Sequence, residues 1–243
     1  MAAVDFSLVI ACYKDAPHLF LNVQALAAFF ADIKLVVEYV FVEDASPDAT
    51  ADEVRKCARW LESAGLPART IFHERNTGRG GAVTNGIKAS SGAVVGFIDI
   101  DLEHLMDGLL PMIQEVRNGA AQVIVGRRAI GNPLGKPIRY ISSFIYRWLV
   151  HAMIPLPVAD TECGLKVFDR AAILPVLDLV EDKHWFWDTE VTHRSWREGL
   201  KVTEHWVVFD EDRTKASTVR LWHDTMAYLK AIRDYRRRMG DRL

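Results

Sequence analysis

The chain is poor in cysteine, with only Cys12, Cys57 and Cys163 in 243 residues. Three thiols so far apart exclude a disulfide framework and a thiolate zinc cluster, and they fit a reducing compartment. Histidine is scarce as well: eight residues, none at metal-ligating spacing, with only His104 beside an acidic motif. Basic charge is not in excess. Thirty Lys and Arg against 32 Asp and Glu leave a net charge of −2, so no global field for nucleic acid exists. Long uncharged apolar runs are missing too. The nearest to one, Ile138 to Val158, is broken by Arg139, Arg147, His151, Pro155 and Pro157 and does not read as a membrane span. The N-terminus has no basic segment and places Asp5 before its first apolar run, unlike a signal peptide. Internal repeats, low-complexity tracts and linkers are absent. The expectation is a cytoplasmic protein whose 50% hydrophobic content builds one large domain, alone or with an appendage.

What is present is organised around Val94-Val95-Gly96-Phe97-Ile98-Asp99-Ile100-Asp101-Leu102-Glu103. The apolar run reads as a buried strand that ends in three acids spaced two apart. If the strand conformation persists, Asp99, Asp101 and Glu103 converge on one face. Three carboxylates there need a divalent cation, and oxygen ligands favour Mg²⁺, Mn²⁺ or Ca²⁺ over zinc. A strand running into a solvated acidic turn is the equally ordinary reading of the spacing.

Before and after this stretch, strands alternate with helices. Phe6 to Cys12, Leu35 to Val42, Thr70 to His73 and Gln122 to Gly126 read as strands. A helix opens at Pro17, another follows Ser46 as N-cap with Pro47 at N1, a third runs to Ser90 and a fourth spans Leu109 to Arg117. The alternation predicts an α/β protein with a parallel sheet and ligands beyond the carboxyl ends of its strands. Asp15, Asp44, Arg79, Asp99 and Asp101 all fall at those ends. In the second half, Tyr140 to Met153 has helical periodicity, Thr161 to Phe168 reads as a strand, Asp188 to Glu198 as a helix and Lys201 to Phe209 as a strand. An amphipathic helix from about Val219 ends in Arg236-Arg237-Arg238.

The turn Asn76-Thr77-Gly78-Arg79-Gly80-Gly81 is neither a Walker A loop nor a dinucleotide fingerprint, since Val83 stands where a third glycine is required. It reads either as a backbone approaching a ligand, with Arg79 aimed at phosphate, or as a tight strand-to-helix turn. Trp185-Phe186-Trp187 reads either as a sugar-stacking or lipid-facing cluster or as packed core.

Taken together, these segments resemble the inverting GT-A-fold glycosyltransferases of family 2, and among them the polyprenyl-phosphate sugar synthases. Ala11-Cys12-Tyr13-Lys14-Asp15 resembles the first nucleotide loop, with Ala11 for a frequent proline. Val42-Glu43-Asp44-Ala45-Ser46-Pro47-Asp48-Ala49-Thr50 is similar to Val-Asp-Asp-x-Ser-Pro-Asp-x-Thr. Asn76 to Ala82 resembles Asn-x-Gly-Lys-Gly-x-Ala, with Arg79 for lysine, and Asp99 to His104 resembles Asp-Ala-Asp-Leu-Gln-His, with Glu103 for glutamine. Gly126-Arg127-Arg128 stands for Gly-Ser-Arg, Asp160 to Lys166 for the Asp-Thr-Gln-Cys-Gly-Phe-Lys of glucose-transferring members, and Trp187 to Glu190 for Phe-Asp-x-Glu.

The resemblance implies a GT-A fold over residues 1–220 with a central, mostly parallel sheet. It also implies interface or acceptor helices at 138–156 and a basic amphipathic helix at 221–243. It implies a nucleotide-sugar site formed by Ala11, Tyr13, Asp15, Glu43, Asp44, Gly78, Arg79, Asp99 and Ile100. Asp99, Asp101 and Glu103 would hold Mg²⁺ or Mn²⁺, with Asp101 serving the chemistry directly. Arg128 and Arg139 would position an acceptor phosphate. Asp160, Asp188 and Glu190 would be the base candidates for an alcohol acceptor, or else hydrogen-bond partners of loop amides. The implied reaction moves a hexose from UDP-glucose, or GDP-mannose, to a polyprenyl phosphate. The alternatives are transfer to a hydroxyl of a soluble acceptor and non-catalytic nucleotide-sugar binding. The aromatic-and-arginine stretch from Arg139 to Trp148 and the last helix suit a peripheral contact with the inner face of a membrane. Many members continue into transmembrane helices and this sequence does not. Ser217-Thr218-Val219 departs from a family Ser-Lys, with Lys215 as the nearest substitute.

Overall fold

The computed structural model describes residues 3–100, 106–129, 147–148, 150–208 and 221–240. Strands β1 (Phe6–Cys12), β2 (Val37–Glu43), β3 (Ala68–Phe72) and β4 (Val94–Ile98) alternate with helices α1 (Leu19–Ala31), α2 (Thr50–Ser63) and α3 (Arg79–Ala89). Helix α4 (Leu109–Arg117) and strand β5 (Val123–Arg128) come next, then β6 (Leu165–Asp169), α5 (Arg170–Leu177), α6 (Trp187–Arg197), β7 (Val202–Val207) and α7 (Leu221–Met239). The seven strands form one sheet in the order β3-β2-β1-β4-β6-β5-β7.

Pairing is parallel from β3 through β2 and β1 to β4, and again between β5 and β7. Strand β6 runs antiparallel between β4 and β5. The mostly parallel sheet is as expected; the reversed strand is a feature that apolar patterning does not encode. The period of two sorts β1 onto both faces. Leu8 and Ile10 join α1, α2 and α4 in one core, while Val9 joins Val40, Phe97, α3, α5 and α6 in the other.

Three expectations need correction. Ser46 does not cap α2, which starts at Thr50 with Ala49 as N-cap. The Ser46 hydroxyl instead donates to Asp48 and accepts from the Lys14 amide, so the Ser-Pro-Asp segment ties the loop after β2 to the loop after β1. Strand β6 begins at Leu165, not Thr161, because the Asp160 carboxylate captures Arg128 and the Glu162 amide and turns the chain first. Strand β4 ends at Ile98, so the period of two stops before the acids and does not set the direction of Asp99. Most of the periodic stretch Tyr140 to Met153 lies outside the described residues, although Val150 and Ile154 join Phe186, Tyr228, Ile232 and Tyr235 in a third, smaller core.

Candidate active site

The carboxyl ends of β1, β2 and β4 lie side by side, and the loops that leave them build one site. After β1, Ala11 leads into Tyr13, which is exposed, and Lys14, which takes a left-handed conformation (φ 58°). The Asp15 carboxylate accepts the Tyr13 amide at 2.7 Å, closing this loop on itself. After β2, the Glu43 carboxylate accepts the Ser46 amide at 2.6 Å, with Ala45 again left-handed (φ 52°).

Asp44 is buried, and its two oxygens reach the glycine turn. They accept the Thr77 amide (2.8 Å), the Thr77 hydroxyl (2.8 Å) and the Gly78 amide (2.9 Å), with His73 Nδ1 at 2.7 Å. The turn sits close to the segment before α6. Gly78 adopts φ +90°, and a Cβ there would overlap the Lys183 carbonyl and His184 ring; one at Gly80 would overlap Trp187. Glycine lets α3 press against α6, and that contact brings Arg79 to the centre of the site.

Arg79 joins two acids. Its Nε and Nη2 donate to one Asp99 oxygen at 2.9 and 2.7 Å, and its Nη1 donates to Asp188 at 2.5 Å. The other Asp188 oxygen accepts from Lys166, which is fully buried and also donates to the Cys163 carbonyl at 2.8 Å. The guanidinium lies 5.1 Å from the Phe97 ring and 6.0 Å from Trp185. Burial alone would lower the Arg79 pKa, but Asp188 and Asp99 outweigh it and hold it above the usual arginine range. Asp99 also donates its amide to the Gly164 carbonyl, and a Cβ at Gly164 would collide with the Asp99 carboxylate. Ile100 is buried, its carbonyl fixed by Asn22 Nδ2 at 2.7 Å.

On the far side, Arg128 grips Asp160 with two bonds of 2.8 Å. Burial would raise Asp160, but the hydrogen bonds and charge of Arg128 hold it below the usual carboxylate range. Glu190 faces away from this network: it accepts the Asp182 amide at 2.8 Å and Arg194 Nε at 2.8 Å. Glu190 therefore has the loop-amide contacts of the structural alternative. Within the aromatic cluster, Phe186 and Trp187 are core, whereas Trp185 is exposed beside Arg79.

One acid was not singled out from the sequence. Glu162 Oε1 accepts from the Tyr228 hydroxyl at 2.6 Å and the Thr189 hydroxyl at 2.9 Å. Burial, and then the charge of Asp188, push it up to about 7 against those hydrogen bonds and Lys166. Its signal was an acid standing inside the Asp160 to Lys166 segment, immediately before a buried strand; Gly164 and Lys166 belong to the same segment.

Asp101, Glu103 and Arg139 lie outside the described residues. Among the described residues, no group of three or more His, Cys, Asp or Glu is gathered to hold a metal. Asp99, roughly one-third exposed at the end of β4, offers a carboxylate oxygen, the ligand type that a hard cation such as Mg²⁺ or Mn²⁺ takes. No described helix is long and apolar enough to cross a membrane.

Comparison with known proteins agrees with this architecture. The chain is 30% identical over 227 residues to "Glycosyltransferase AglD" of Haloferax volcanii, covering 90% of this chain and 35% of that protein. It is 26% identical over 218 residues to the "Dolichyl-phosphate beta-glucosyltransferase" of Saccharomyces cerevisiae, covering 83% of this chain and 65% of that protein. It therefore spans about a third to two thirds of these relatives' lengths. Among solved structures, glucosyl-3-phosphoglycerate synthase from Mycobacterium tuberculosis, in complex with Mn²⁺, UDP and phosphoglyceric acid, superposes with a TM-score of 0.65 at 13% identity. The match covers 98% of this chain and 79% of that one. The fold is GT-A, and with residues 7–174 matching the family described as "Glycosyl transferase family 2", the chain belongs to that family.

Proposed function

We propose that this chain transfers a hexose from a nucleotide diphosphate sugar to a polyprenyl phosphate, with inversion at the anomeric carbon. One observation carries the reading. Arg79 ties Asp99, at the end of β4, to Asp188, on α6, so the donor-side acid and the acceptor-side helix meet at one point. The yeast relative's name supports a polyprenyl-phosphate acceptor and glucose. The Asp160 to Lys166 segment favours UDP-glucose over GDP-mannose in the same way.

In the reaction, an acceptor phosphate oxygen bonds to the anomeric carbon as the bond from that carbon to the diphosphate oxygen breaks. The nucleoside diphosphate leaves with the electron pair. Asp99, Asp101 and Glu103 would hold Mg²⁺ or Mn²⁺, which supplies positive charge against the leaving diphosphate when bound. Ala11, Tyr13, Asp15 and Glu43 shape the nucleotide-facing loops, and Asp44 holds the turn that presents Gly78 and Arg79. Arg128, oriented by Asp160, and Arg139 position the acceptor phosphate. A phosphate acceptor carries its own negative charge, so no proton has to be removed. Accordingly Asp160 and Asp188 are each engaged by cations. The exposed Lys230, Arg233, Arg236 and Arg237 of α7 support a peripheral contact with an anionic membrane surface.

A hydroxyl acceptor is the second reading, favoured by Glu162: a carboxylate pushed up to about 7 is the kind of base that an alcohol requires. Release of nucleoside diphosphate separates the two. With UDP-glucose and Mn²⁺, the first reading expects release that depends on added polyprenyl phosphate and is lost in Asp101→Ala. Release stimulated only by soluble alcohols would replace the first reading with the second.

A further inference from the structure

The family match ends at residue 174, yet Asp188 and the helix packed on its segment come later in the chain. Helix α7 seats on α6 and the residues leading into it. Phe186 meets Tyr228 and Tyr235 edge-on, with ring centroids at 5.3 and 5.4 Å, and Ile232 is fully buried between them in the third core. Polar links run along the same seam. The Tyr235 hydroxyl lies 2.7 Å from His193 Nδ1, and the Tyr228 hydroxyl lies 2.6 Å from both Thr189 Oγ1 and Glu162 Oε1. Thr189 follows Asp188 in the chain, and its hydroxyl also bonds to Thr161 at 2.7 Å. A chain of hydrogen bonds thus runs from α7 to the acid beside the Asp188, Lys166, Arg79 and Asp99 network.

We propose that Tyr228 is a positioning residue of the active site: it fixes the Glu162 carboxyl beside Asp188, so that the seating of α7 sets the charge of the acceptor side. Among the described residues, the groups that act on Glu162 include Asp188 of α6, Lys166 of β6, Arg128 of β5, and the Tyr228 and Thr189 hydroxyls. Asp188 and burial work against a second negative charge; Lys166 and the two hydroxyls work for it. Removing one hydroxyl shifts this balance without opening a cavity, because the Tyr228 ring remains packed on Phe186. The kinetic consequence rests on the glycosyl-transfer reading above, whereas the coupling between helix and carboxyl does not.

The test uses the full chain as wild type, Tyr228→Phe and Glu162→Gln. Infrared difference titration, wild type minus Glu162→Gln, isolates the Glu162 carboxyl. Its midpoint should rise by about one pH unit in Tyr228→Phe, the loss of one hydrogen bond to a charged acceptor. In the transfer assay, the part of the acidic limb of kcat that Glu162→Gln removes should move up by the same amount in Tyr228→Phe, with the donor KM unchanged. An unmoved carboxyl titration in folded Tyr228→Phe overturns the proposal, whatever the activity. A shifted titration with an unmoved acidic limb also overturns it, because the seating of α7 would then not reach the reaction. If the wild type transfers no sugar, the proposed function fails, and the infrared arm alone decides whether α7 sets the state of Glu162.

Discussion

Gly164 shows how narrowly the site is specified at the scale of a residue. Its missing side chain is what lets the Asp99 carboxylate lie against β6. Gly164→Ala should displace Asp99 and lower kcat by about 10²-fold, the cost of a displacement near 1 Å at a reacting centre, with the melting temperature little changed. Steady-state kinetics and a thermal melt check this together. Asp44 makes the contrasting case. Its carboxylate takes two amides and a hydroxyl of the 73–78 turn, so Asp44→Ala leaves buried donors without an acceptor. Denaturant unfolding should show a loss of about 3 kcal/mol, and added nucleotide should not restore it. In sequence, Asp44, Glu190 and Asp99 were alike, acids at the ends of strands or the start of a helix. What separates them is tertiary: Glu190 meets a loop amide and Arg194, whereas Asp99 meets Arg79 at a partly open edge. Glu162 was missed for the same reason, since its partner Tyr228 is 66 residues away.

Helices and strands were more legible than side-chain partners. The first four strands, α3 and α4 came out within a few residues, because each carries an apolar face of the right period. The reversed direction of β6 was not legible: a buried strand looks the same from either end, and only its neighbours β4 and β5 define its sense. The start of α2 was misplaced because Ser46-Pro47 has the chemistry of a cap yet serves as a tie between two loops. The contact between α3 and α6 depends on Gly80, where a Cβ would enter the Trp187 side chain. Gly80→Ala should cost about 1–3 kcal/mol as overpacking. It should also part Arg79 from Asp188, so transfer should fall more steeply than stability; an equal fall in both would show that the helix contact does not position Arg79.

Across the whole molecule, two cores sandwich one sheet and a third fastens α7 to α6. His193 lies in that last seam, fully buried; burial, then the charges of Arg197 and Arg194, push it down to about 4. Folding therefore keeps it neutral while the unfolded chain protonates it near 6.5. Its contribution is complete above that value and is lost as pH falls towards 4, by up to about 3 kcal/mol. Across this window the melting temperature of wild type should fall relative to that of His193→Gln, in which Glu162 and the other acids titrate alike. The GT-A architecture was legible because its first five motifs recur in order along the chain, each at or just beyond the carboxyl end of a strand. The partners of Asp188 and Glu162 were less legible, because Arg79 of α3, Lys166 of β6 and Tyr228 of α7 meet them only in the tertiary fold. The central claim, transfer to a lipid phosphate, is tested most directly by partitioning. Purified protein with Mn²⁺, labelled UDP-glucose and a short polyprenyl phosphate should move label into the organic phase, and EDTA or Asp99→Asn should abolish it. Label that stays in the aqueous phase with both UDP-glucose and GDP-mannose, while donor binding is intact, would contradict the claim.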